Sequence, residues 1–126
     1  MISLDLDGND YYFIERIVQD RILPKLFCLE YNGKFKNTAA KINYNESHTW
    51  SGDDYFGCSL QSYLELLIDN YTLITCNITG ANCFFIRNDF KDKFTIYEPN
   101  QLHQPPRYYL SPLNKGHRSS TKYINS

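Results

Sequence analysis

Asp5, Asp7, Asn9 and Asp10 place four oxygen-bearing side chains within six residues. Such a group can hold a hard cation, bind hydroxyls or an amine, or act as a general base. A calcium hand does not fit: its turn glycine would fall at Asp10, and its closing bidentate Glu at Arg16. The same residues also suit a purely structural role, because Asp7, Asn9 and Asp10 can cap a helix and shape a turn. Further along, Glu30 and Asn32 end an apolar run. If that run lies beside the first strand, Glu30 joins Asp5 and Asp7, and mutual repulsion raises a carboxyl pKa into the range of a usable proton acceptor. The expected catalytic group is therefore Asp5, Asp7 and Glu30. His48, His103 and His117 fall in loops without a paired nucleophile, and the cysteines form no Cys-x-x-Cys pair, so neither a triad nor a metal centre is expected. A small metal-dependent hydrolase built on the same carboxylates ranks behind the other readings for want of a histidine ligand.

The elements that must position these groups follow from periodicity. Ile2, Leu4 and Leu6 alternate with polar residues, predicting a strand over about 2–7. Gly8 permits a turn, Asn9 or Asp10 can cap, and Ile14, Ile17 and Val18 mark the buried stripe of a helix over about 11–21. Leu26-Phe27-Cys28-Leu29 reads as a strand covered on both faces, which makes the first three elements a right-handed βαβ unit. The segment of about 33–57, with Trp50 and Tyr55 near its end, is longer than an ordinary connection and reads as a functional loop or lid. Ser59 caps a second helix, whose apolar residues Leu60, Tyr63, Leu64, Leu67, Ile68 and Tyr71 recur at helical steps. Segments 72–76 and 83–87 are too close for a helical crossover and predict an antiparallel hairpin, where Asn77 and Asn82 also suit the turn's own backbone. The expectation is an α/β fold with a partial Rossmann-like sheet, in the order β-α-β, then α, then an antiparallel β-hairpin. Residues 1–113 form its single domain and 114–126 a flexible tail.

Composition limits the function classes. With 126 residues, 42% hydrophobic and 21% charged, the chain suits one globular core. A net charge of −1 provides no sustained positive field, so nucleic acid is not an expected partner. No apolar run approaches the ~20 residues that span a bilayer, and the first ten residues lack a signal-peptide pattern. The expected location is cytoplasmic, with no membrane partner. Cys28, Cys58, Cys76 and Cys83 read as free thiols, and the matches to the glycosylation pattern at Asn45 and Asn77 as chance. The eleven Tyr and eight Phe read as core and loop packing.

Four blocks carry a resemblance: residues 4–11 (LDLDGNDY), 29–32 (LEYN), 54–60 (DYFGCSL) and 80–87 (GANCFFIR). In order and spacing they resemble the second half of bacterial proteins related to the FkbM-like class I methyltransferases, over about residues 2–90. The resemblance implies strands four to seven of a seven-stranded sheet with a reversed terminal strand. It further implies S-adenosylmethionine as methyl donor, and an oxygen acceptor such as a sugar or polyketide hydroxyl. Asp7, Asn9 and Asp10 would then lie near the cofactor, and Asn32, Tyr55 and Asn82 would be substrate-binding residues. The glycine-rich loop and ribose-binding acid of the family's first half have no counterpart here. Donor binding by this chain alone is therefore not expected. The first strand would present an open edge to a second copy or to the missing N-terminal half. A noncatalytic assembly module using that edge and the 33–57 loop is the alternative.

Overall fold

In a computed structural model of the chain, residues 1–107, 110 and 117–123 are described. β1 (Ile2–Leu4) leads through α1 (Asp10–Gln19) to β2 (Leu26–Glu30). After the long loop come α2 (Leu60–Leu67), β3 (Tyr71–Cys76), β4 (Asn82–Arg87), a 3-10 segment at Asn88–Lys93 and the short α3 (Pro99–Leu102). The strands form one sheet in the order β1-β2-β4-β3. β1 and β2 are parallel, and β4 runs antiparallel to both β2 and β3. The fold is thus α/β with an open, mixed four-stranded sheet, and the last strand in sequence is inserted between β2 and β3.

The core explains this arrangement. Phe27 and Leu29 of β2, Cys83 and Phe85 of β4 and Leu73 of β3 are buried with Ile14 of α1 and Leu60, Tyr63 and Leu67 of α2. β2 is paired on both edges, but its burial alternates: Phe27 and Leu29 are fully buried and Leu26 and Cys28 only partly, so the cover on both faces expected from the apolar run is incomplete. β1 keeps one neighbour, and Ile2 and Leu4 are only partly buried.

Several boundaries differ from expectation. β1 ends at Leu4 rather than near Asp7, because the chain turns early: Asp7 adopts φ 54°, and Leu6 and Gly8 donate their amides to the Asp10 carboxylate at 2.9 and 3.0 Å. α2 ends at Leu67, and Tyr71, expected on its stripe, opens β3 instead, its hydroxyl donating to the Pro24 carbonyl at 2.6 Å. Ser59 does cap α2, accepting from the Ser62 amide at 3.2 Å.

Of the expected tail 114–126, residues 117–123 pack on the loop around Trp50 and Phe56, whereas 114–116 and 124–126 lie outside the described residues, as do 111–113 at the expected domain boundary. All four cysteines are free, and all but Cys28 are buried. No helix among the described residues is long and apolar enough to cross a membrane.

Candidate functional site

The parallel pairing of β1 with β2 sets Leu4 beside Leu29, so the next residues, Asp5 and Glu30, emerge together at the carboxyl ends of the strands. Asp7 returns to the same place because the Asp10 carboxylate clamps the turn. Asp5, Asp7 and Glu30 each offer one oxygen within 4.8 Å of the others. The outer edge of parallel strands is where open α/β sheets bind ligands. On the other side of β2, Glu30 is the register partner of Asn82, so the two side chains share a face.

Asp5 and Asp7 are exposed, while Glu30 is half-buried, its Oε2 shielded from solvent and without a hydrogen-bond partner among the described residues. Burial pushes the Glu30 carboxyl up to about 9, assisted by a hydrogen bond with Asp5 and by the charges of Asp5, Asp10 and Asp7. Asp7 is also raised, by desolvation first and then by Asp5 and Asp10, against the opposing pull of His117. At neutral pH, Glu30 therefore holds a proton and can donate a hydrogen bond to a neighbouring oxygen. The same three oxygens suit an ammonium or another cation, although they fall short of the six to eight oxygens of a complete calcium shell.

The remaining expected site residues have other partners. Asp10 is fully buried and spends both oxygens on backbone amides, so it builds the turn rather than facing a ligand. Asn9 occupies the N-cap position of α1 without a side-chain cap bond; its amide exchanges hydrogen bonds with the backbone of Asn45 at 2.8 and 3.3 Å. Asn32 is buried and donates to the Asp54 carbonyl at 2.7 Å. The Tyr55 hydroxyl accepts from the Asn43 amide at 3.0 Å. The structure thus brings Asp5, Asp7 and Glu30 together, sets Asn82 beside Glu30 on the next strand, and ties Asn9, Asp10, Asn32 and Tyr55 into the loop that follows.

Two histidines that sequence patterns left in loops belong to this frame. His48 lies against Gly8 so closely that a Cβ there would sit 2.5 Å from its Cδ2. This close approach gives Gly8 a steric role beside its place in the turn. The Nε2 of His48 is buried and has no hydrogen-bond partner among the described residues. His117 sets its ring 4.9 Å from Trp50 and 5.3 Å from Phe56, and feels the charges of Asp54, Asp7 and Asp53. Neither contact has a periodic signature, because both join segments distant in sequence.

No protein-family model matches the chain, and neither does any curated protein or solved structure.

Proposed function

We propose that the chain is the C-terminal half-sheet of an S-adenosylmethionine-dependent, FkbM-like O-methyltransferase domain, incomplete for donor binding by itself. The observation that carries this reading is the sheet: two parallel strands followed by a last strand that is reversed and inserted between β2 and β3. It agrees with the reversed terminal strand that the four sequence blocks imply. S-adenosylmethionine would supply the methyl group. Asp5 and Asp7 would accept the proton released by an acceptor hydroxyl, and Glu30, protonated at neutral pH, would hold the acceptor by a hydrogen bond. Asn82, the register partner of Glu30, would orient it. The four free thiols fit a reducing, cytoplasmic setting.

One observation favours a second reading, a noncatalytic assembly module. Among the described residues β1 is a terminal strand of the sheet, and Met1 and Leu6 flank it exposed. An open, apolar edge invites strand addition from a second copy or from an N-terminal half.

Calorimetric titration with S-adenosylmethionine and S-adenosylhomocysteine, with the solution mass measured alongside, separates the two. Micromolar binding that disappears in Asp5→Ala or Asp7→Ala supports the methyltransferase reading but overturns its clause that the half-sheet is incomplete for donor binding. A folded monomer without affinity for either compound is the result expected of an incomplete half-sheet, whereas a defined oligomer without affinity favours the assembly module and association through β1.

A further inference from the structure

We propose that the hollow between the solvent face of α1 and Tyr44 is a binding site for a small quaternary ammonium ion, with Tyr12, Phe13 and Tyr44 as its ring wall and Glu15 as its counter-charge. The cavity has a volume of about 330 Å³ and is lined by Tyr12, Phe13, Glu15, Arg16, Gln19 and Tyr44. That size lies at the lower end of small-molecule pockets, which run from about 300 to 1,000 Å³. Tyr12, Glu15, Arg16 and Gln19 stand at steps of three and four, so α1 presents them on one face. Tyr44 closes the hollow from the long loop, its ring 5.5 Å from that of Tyr12 with an interplanar angle of 75°. Both rings are anchored. The Tyr12 hydroxyl donates to the Ile42 carbonyl at 2.8 Å. On either side of Tyr44, the Asn43 amide donates to the Tyr55 hydroxyl at 3.0 Å and the Asn45 amide to the Asn9 side chain at 3.3 Å. The wall is therefore formed before a ligand arrives, which lowers the cost of binding.

Burial does not account for these rings. Phe13 is 49% exposed and Tyr44 57% exposed, and neither packs against the main hydrophobic core. Aromatic side chains gathered around one hollow offer π faces, whose negative charge density attracts a cation. The charges agree with this. Arg16 is drawn to Asp20, with its Nε 2.9 Å from the carboxylate, which offsets its charge. Glu15 is left as the one charged lining residue without an ion pair or hydrogen bond among the described residues. Lys41 shows the neighbouring rings holding an ammonium: its Nζ lies 4.0 Å from the Tyr11 centroid and 5.3 Å from that of Tyr12, and it does not itself line the hollow. A quaternary ammonium suits this wall better than a primary one, because its methyl groups spread the charge, need no hydrogen-bond partner and pack against rings. An anion would instead meet an unpaired carboxylate. No lining residue belongs to the Asp5, Asp7 and Glu30 group, so the site stands whether or not the chain takes part in methyl transfer.

Titration of the isotope-labelled full chain with choline, followed by amide NMR, tests this against dimethylbutanol, the uncharged carbon analogue of the same shape. Choline is expected to bind about tenfold more tightly than the alcohol, and to shift the amides of Tyr12 to Gln19 and of Tyr44. Tyr44→Ala and Glu15→Gln should each weaken choline binding by about threefold or more, whereas Tyr44→Phe, which keeps the ring, should not. Phe13→Ala removes a second ring from the exposed face of α1 and predicts the same loss, with the circular dichroism unchanged in every variant. Equal affinity for the two compounds overturns the proposal, because the hollow would then select for apolar shape alone. So does the absence of saturable choline binding, or shifts confined to Asp5, Asp7 and Glu30, where carboxylates and not rings would be holding the cation.

Discussion

Asp5 and Glu30 face each other across the carboxyl ends of two parallel strands, their oxygens within 4.8 Å, and only one of them lies open to solvent. Burial, assisted by Asp5, makes Glu30 a carboxyl that prefers its proton, with a pKa of about 9 against an ordinary 4.5. A raised pKa means that the folded chain binds more protons than the unfolded one across that interval. The stability from this group is complete below about pH 4.5 and is lost progressively as pH rises towards 9. Glu30→Gln keeps the shape and removes the titration. It should stabilise the fold at pH 7 by about 1–3 kcal/mol and flatten the loss between pH 5 and 9. Urea unfolding across that range measures both, and an unchanged pH profile would show that Glu30 is charged at neutral pH.

The acidic turn divides into a builder and two exposed carboxylates. Asp10→Ala leaves the amides of Leu6 and Gly8 without their acceptor, so it should cost about 2–4 kcal/mol in denaturant unfolding. Asp5→Ala and Asp7→Ala remove exposed groups that repel Glu30, and should change stability by less than about 1 kcal/mol. If Asp5→Ala instead unfolds the chain, the site carboxylates are structural.

Gly80 tests how tightly the segment after α3 is docked. It has φ 72°, and a Cβ there would stand 2.2 Å from the Pro105 carbonyl oxygen, a backbone atom that cannot swing aside. Gly80→Ala should cost about 2–4 kcal/mol in thermal unfolding. Gly52 has a similar φ of 78° with open space around it, so Gly52→Ala carries the conformational strain alone, about 1 kcal/mol. Equal losses at the two positions would mean that residues 104–106 give way.

The contrast between what the sequence reveals and what it hides follows from the range of each interaction. The βαβ unit, the α2 stripe from Leu60 to Leu67 and the β3–β4 hairpin are local, and their periodicity is legible. The meeting of Asp5 with Glu30 is legible at second hand, because two parallel strands must align their carboxyl ends. What periodicity does not carry is the insertion of β4 beside β2, or the use of Asn9 and Asn32 to fasten the loop. Tyr31 is another such residue: fully buried, it exchanges hydrogen bonds with the Gln104 backbone, 73 residues away. A polar loop residue presents the same face to sequence reasoning whether it will hold a ligand or another loop.

His117 and Trp50 give a local reporter of that hidden packing. Burial lowers the His117 pKa from its ordinary 6.5, and the charges of Asp54, Asp7 and Asp53 oppose the shift without cancelling it. The ring therefore gives up its proton more readily than an ordinary imidazole. A lowered pKa means that the packing around this imidazole is favoured above 6.5 and weakens as pH falls through the folded value. An imidazolium beside an indole quenches its emission, and the chain has a single tryptophan. Trp50 emission should fall on acidification in one step with a midpoint below 6.5, and His117→Gln should abolish the step. Asp7→Asn removes one of the three carboxylates and should move the midpoint lower still. A midpoint above 6.5, or one indifferent to Asp7, would mean that the ring stands in solvent and away from the acidic turn.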